Sequence, residues 1–239
     1  MRDTAVSRLG WGAVLFGLAS ILLLAASAFG YRQDWWAVLR ALDVASWGAW
    51  AAVAGAALAV VALGLWLARR NGGGGIAALG LALSLPVLIA AGAWQYATFT
   101  TPPINDISTD TADPPVFWFT ATPSDYPAQN TEPQHAAYPD VLPLELPVSA
   151  DEAFAAALAL VEAHGWEVLS ADPAESQIEA IVTSRLFGFE DEVAIRVTET
   201  DTGARIDMRS RSRLGQIDRG ANARRIEAFL SDLETRART

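Results

Sequence analysis

Residues 190–213 read EDEVAIRVTETDTGARIDMRSRSR, and this stretch decides the architecture of the C-terminal half. Val193, Ile195 and Val197 alternate with polar residues, as do Ile206 and Met208. That is the period of two expected of half-buried strands. The two apolar sets share a face only if paired residue numbers add to an odd value, which requires an even-length turn around Asp201-Thr202. A sum of 403 sets Val197 against Ile206 and Ile195 against Met208. The same register sets Arg196 against Asp207, Glu192 against Arg211 and Glu190 against Arg213. These charge pairs emerge from a register chosen on apolar grounds, and each is worth about 0.2–1 kcal/mol if exposed. Arg209 falls opposite Ala194 and is left without a cross-strand acid.

Outward from the hairpin the pattern stays regular. Ser149 and Glu152 have the spacing of a capping box. Phe154, Ala157, Leu158 and Val161 follow at helical spacing, and Gly165 stands where a C-terminal cap belongs. Strands are expected at Trp166–Ser170, Gln177–Ser184, Glu190–Thr200 and Ala204–Leu214, and a second helix at Asp218–Glu234. Residues 147–239 therefore read as an extracytoplasmic α+β domain, an antiparallel sheet with two helices on one face.

Residues 100–146 form a Pro-rich strap, with ten of the twelve prolines between Pro102 and Pro147. No continuous helix is compatible with that density. Val116–Thr122 (VFWFTAT) is its one strand-like piece, and Phe117, Trp118 and Phe119 are expected to dock on the following domain, or else on the bilayer. Asp106, Asp110 and Asp113 lack the ligand spacing of a calcium loop and read as turn residues.

Residues 1–99 read as a transmembrane region. Leu9–Gly30, Val44–Ala68 and Ile76–Thr98 carry no charge, and each exceeds the roughly 20 residues a helix needs to cross a bilayer. The expected spans are about 9–30, 44–68 and 76–98, an all-α membrane region of three transmembrane helices. Trp11, Trp35, Trp36, Trp47, Trp94 and Tyr96 lie near their ends, as an interfacial belt requires. Arg2, Arg8, Arg69 and Arg70 on one side outnumber Arg32 and Arg40 on the other, which directs the N-terminus inward and residues 99–239 outward. The start also resembles a cleavable signal peptide ending at Ala26-Ser27-Ala28, but the apolar run is longer than usual and retention is favoured. Small residues Gly48, Ala52, Gly55 and Ala59 share one side of the second span and permit close packing. No ionisable residue lies inside a span, which argues against a pump or channel.

The charge is divided: residues 1–99 carry six Arg and three acids, the remainder eleven Arg and twenty-four acids, so +3 and −13 give the net −10. The acidic half would repel phosphate, which excludes nucleic acid as a partner. There is no Cys, so neither disulfides nor thiol catalysis enter. The histidines, His135 and His164, have no metal-ligand spacing, and no nucleophile motif is present. No catalytic residue, metal site or cofactor is therefore expected. The one concentration of chemistry is basic: Arg209, Arg211 and Arg213 project from one face and read as an anion-binding stripe, with Arg225 nearby on the last helix. The competing reading makes them partners of Glu190 and Glu192.

Residues 187–197 (FGFEDEVAIRV) and 207–226 (DMRSRSRLGQIDRGANARRI), with Asn105–Asp110 and Pro114-Pro115 upstream, resemble the bacterial and plastid family catalogued as domain of unknown function 1499. The resemblance covers roughly residues 103–235 and implies an envelope domain without assigned catalytic residues. Within the second block, Gly215 and Gly220 suit a tight reversal, Asp218 a helix cap and Asn222 a backbone partner. Together these readings lead to a membrane-anchored, multi-pass protein of a bacterial inner membrane with its C-terminal domain on the periplasmic side. The bilayer is one partner, and an envelope protein or an anionic small molecule is the expected other, held by Arg209, Arg211, Arg213, Asp218, Asn222 and Arg225. The alternatives are a hydrolase of lipid or wall material using Asp207 or Asp218, and an accessory subunit of a membrane complex.

Overall fold

The computed structural model of the chain describes residues 4–69, 72–120 and 123–237. It divides into two compact units, Met1–Tyr96 with Arg185–Gly188 and Ala97–Ser184 with Phe189–Thr239. Arg2 and Arg70, two of the arginines in the orientation count, lie outside the described residues.

Three apolar stretches become three helices, α1 (Thr4–Arg32), α2 (Val38–Arg69) and α3 (Gly74–Thr100), each long and apolar enough to cross a membrane. Their packing follows from side-chain size. One stripe of α2 is buried, Ala41, Gly48, Ala52, Gly55, Ala59 and Ala62, and it contains the four small residues singled out above. A Cβ on Gly55 would lie 3.1 Å from the Gly17 backbone N, and one on Gly80 2.5 Å from the Ala13 Cβ. Backbones this close gain dispersion contact that larger side chains would prevent. The large residues of α2, Trp47, Trp50, Val60 and Leu67, face outward. Ser20 and Ser84 donate within their own helices to the carbonyls of Gly17 and Gly80, so these two hydroxyls are satisfied in an apolar setting.

The second unit is a six-stranded antiparallel sheet with α5 (Ala150–Ala163) and α6 (Ala221–Ala237) on one face. Its strands are β1 (Asp106–Ser108), β2 (Leu144–Leu146), β3 (Glu167–Asp172), β4 (Gln177–Thr183), β5 (Glu190–Thr200) and β6 (Gly203–Ser212), in the order β1-β6-β5-β4-β3, with β2 also on β6. The β5–β6 register is the one derived from the alternation: Ile195 pairs with Met208, Val197 with Ile206 and Arg196 with Asp207. Ile178, Val193, Ile195, Ile206 and Met208 meet Phe154, Leu160, Ile226, Phe229 and Leu233 of the helices in one buried core.

Helix α5 is capped at both ends. Ser149 Oγ accepts from the Glu152 N–H while the Glu152 carboxylate accepts from the Ser149 N–H at 3.0 Å. The Ser149 N–H and hydroxyl, both donating to the Glu152 carboxylate, hold it below its ordinary range. At the other end Gly165 is left-handed (φ +70°), its N–H reaches the Glu162 carbonyl, and the Trp166 N–H reaches that of Val161. The last helix starts later than its apolar spacing suggested, at Ala221 rather than Asp218. Arg219 and Gly220 adopt φ +56° and +74°, which breaks the helical run.

The strap departs most from its reading. It contains β1, β2, a 3₁₀ turn at Ala128–Asn130 and the helix α4 (Thr131–Ala137). Val116–Thr122 is not a strand: residues 116–120 are irregular, and Ala121 and Thr122 lie outside the described residues. The N–H groups that a strand would offer a neighbour go elsewhere. That of Phe117 donates to Ser124 Oγ, and those of Trp118 and Phe119 to the Glu179 carboxylate.

Candidate functional site

The face of the sheet away from the helices is polar, because residues of the opposite parity project there: Gln177 and Glu179 of β4, Glu192 and Arg196 of β5, Arg205, Asp207, Arg209 and Arg211 of β6. The strap lies across it and closes most of it from solvent. At its centre Arg209 is fully buried, with Nε and Nη2 on the Asp106 carboxylate at 2.9 and 2.8 Å. Its Nη1 donates to the carbonyls of Pro115 (3.1 Å) and Ser124 (2.8 Å), and the guanidinium carbon lies 4.8 Å from the Phe117 ring centre. The acid that Arg209 lacked in the hairpin thus comes from β1, a strand formed by the strap.

The same engagement holds along the stripe. Arg211 donates to Glu192 and to the Pro123 carbonyl, and its guanidinium carbon lies 4.4 Å from the Phe117 ring centre. Arg213 donates to Glu192 at 2.9 Å and to Glu190. Burial pulls the Arg213 pKa down, but its bonds to Glu192 outweigh that and the net direction is upward. Asp207, buried, receives Arg205 at 3.0 Å, Arg196 at 3.4 Å and the Thr109 hydroxyl at 3.0 Å. Asp110 and Asp113 pair with Arg205 and Arg196.

Asp218, Asn222 and Arg225 sit on the other face, at the start of α6, so the structure does not bring them to the stripe. Asp218 accepts the N–H groups of Gly220 (2.9 Å) and Asn222 (2.7 Å), and burial raises its pKa despite these bonds. The Asn222 amide donates to the Asn105 carbonyl at 2.9 Å, and its oxygen accepts from Ser210 and Arg225. Arg225 also reaches Asp191. The six residues therefore fall into two clusters, and each has its polar atoms on neighbouring groups of this chain.

Between the strap and the β3 end of the same face, a recess of about 370 Å³ stays open. Trp118 and Phe119 form one side, half exposed, whereas Phe117 next to them is buried under the arginines. Only one of the three aromatics quoted from the strap is therefore fully docked. Gln177 and Glu179 lie at the bottom, and Ser170, Asp172 and Glu175 of the β3–β4 hairpin opposite. Glu179 is 1% exposed, and its carboxylate accepts from the Trp118 N–H (2.8 Å), the Phe119 N–H (3.1 Å) and the Gln177 amide (3.2 Å). Among the described residues no arginine or histidine pairs with Glu179, Asp172 or Glu175. Sequence reasoning missed this group. Its one advance signal was parity, since Glu179 shares the face of Glu192 and Arg196 once β4 is registered on β5.

The model of a family described as a protein of unknown function, DUF1499, matches residues 106–233. No curated protein matches the chain.

Proposed function

The chain belongs to the DUF1499 family, and on that premise we propose that it is a membrane-tethered binding module without enzymatic activity. Three spans hold the α+β unit at the outer, periplasmic face of a bacterial inner membrane, as the arginine distribution between short loops supports. The observation that carries a binding role is the contrast on the polar face. Its arginines are engaged by carboxylates and carbonyls of the chain itself, while the recess beside β3 stays open. The expected anionic ligand finds less support than a ligand seated between Trp118 and the β3–β4 hairpin, because the guanidinium groups of Arg209, Arg211 and Arg213 already bond carboxylates and carbonyls of the chain. The hydrolase alternative is weaker, since Asp207 is tied to two arginines and Asp218 to two backbone N–H groups.

Two measurements test the reading. Alkaline phosphatase fused after Thr239 should be active, and a fluorescent protein active only in the cytoplasm should be dark; the reverse pattern overturns the orientation. A thermal-shift screen of the full chain in detergent should yield compounds whose effect is lost in Trp118→Ala. A screen whose compounds lose their effect in Arg211→Gln instead, or one without any stabilising compound, overturns the recess as the binding site.

A further inference from the structure

We infer that the recess receives an organic ammonium group, such as that of choline or ethanolamine. The inference rests on the binding-module reading and adds the ligand's chemistry.

The first support is a local imbalance of charge. Elsewhere on the polar face every buried or half-buried acid meets an arginine: Asp106 has Arg209, Asp207 has Arg205 and Arg196, Glu192 has Arg211 and Arg213. Glu179 is as deeply buried as these, yet its partners are two backbone N–H groups and an amide, all neutral. Buried carboxylates are ordinarily offset by a positive charge. Here none of the described residues pairs a cation with it, and two further carboxylates, Asp172 and Glu175, border the same space.

The second support is the aromatic side. Trp118 and Phe119 are 50% and 60% exposed and lie beside these carboxylates. Aromatic faces carry negative potential and attract cations, quaternary ammonium above all. The two supports are linked through one residue, because the Glu179 carboxylate that supplies charge also binds the amides that hold the aromatic pair in place.

Size and ligand type decide against a metal ion. At about 370 Å³ the recess lies in the range of small-molecule sites, roughly 300–1,000 Å³, far above the volume of a bare ion. Among the described residues no group of three His, Asp or Glu side chains is placed to hold a metal. An ammonium compound satisfies both halves of the site at once, its charge on the carboxylates and its methyl or methylene groups on the rings.

The test is equilibrium dialysis of labelled choline against the full chain in an uncharged detergent. Saturable binding is expected, competed by ethanolamine and not by the uncharged tert-butyl analogue of choline. Asp172→Asn with Glu175→Gln, both exposed and so compatible with folding, should weaken binding roughly tenfold, as should Trp118→Ala. Nanodiscs separate the sources. Slowed amide exchange at Trp118 and Phe119 in phosphatidylethanolamine discs, and not in phosphatidylglycerol discs, assigns the group to a lipid headgroup; binding of free choline with no difference between the discs assigns it to a soluble amine. Absence of both effects overturns the inference, as does equal binding of the tert-butyl analogue or displacement of choline by micromolar calcium. If choline fails while another compound acts through Trp118, the ammonium assignment falls and the binding-module reading stands.

Discussion

Replacing Arg209 by Met should unfold the C-terminal unit more than any other single change on the polar face. Arg209 is fully buried and makes four hydrogen bonds, two to Asp106 and one each to the carbonyls of Pro115 and Ser124. Met roughly retains the apolar stem but removes the charge, leaving Asp106 at 1% exposure with no cation. Removing one partner of such a buried pair costs about 3–5 kcal/mol. With a urea slope of about 2 kcal/mol/M for a unit of this size, a loss of about 4 kcal/mol lowers the midpoint by about 2 M. Pulse proteolysis in urea reads this on the full chain in detergent. Asp106→Leu should have a similar effect, and the double variant should be more stable than the sum of the two losses predicts, because it leaves no orphaned charge. A midpoint shift below about 0.5 M for Arg209→Met, or strict additivity in the cycle, would refute the structural role and return Arg209 to the anion-binding stripe.

Tyr138→Phe should be neutral or stabilising by up to about 1 kcal/mol, because the Tyr138 hydroxyl is a buried polar atom without a hydrogen-bond partner among the described residues, and burial raises its pKa to about 12; a loss above 1 kcal/mol in the same urea assay would contradict this. Gly203→Ala should destabilise by about 1–3 kcal/mol, since Gly203 has φ +144° and a Cβ there would lie 2.1 Å from the Leu146 carbonyl oxygen. Faster amide exchange across β2 is the accompanying signature, and unchanged exchange would argue against the clash. Asp218→Asn reports a linkage: burial raises the folded pKa of Asp218, so its protonated form favours the native state. That contribution is complete below the unfolded value and is lost as pH rises through the folded value. The urea midpoint of the parent chain should therefore decline relative to Asp218→Asn from about pH 3 to pH 7, and a constant difference would sink the argument.

Much of this molecule is legible locally. An uncharged run longer than a bilayer is thick can only be a spanning or deeply buried helix, so α1, α2 and α3 follow from Leu9–Gly30, Val44–Ala68 and Ile76–Thr98. A two-residue turn leaves one register that keeps both apolar sets on one face, so Ile195 meets Met208 without any knowledge of the rest. Helix ends are equally local, since Ser149, Glu152 and Gly165 act on backbone groups within one turn. In the strap, local signals misled. VFWFT has the β-branched and aromatic composition of a strand, but the N–H groups of Trp118 and Phe119 are claimed by Glu179, some sixty positions later in the chain. Asp106 looked like a solvated turn residue, and only its placement in β1 brings it to Arg209, 103 positions away. A stripe of arginines has the same sequence pattern whether it awaits an anion or has already found its acids. What decides is which distant carboxylates the folded chain delivers, and which, like Glu179, it leaves without a cation. Periodicity records the environment of a residue's near neighbours; the pairing of buried charges across the sheet is set by how a proline-rich segment crosses it, and that is a property of the tertiary structure alone.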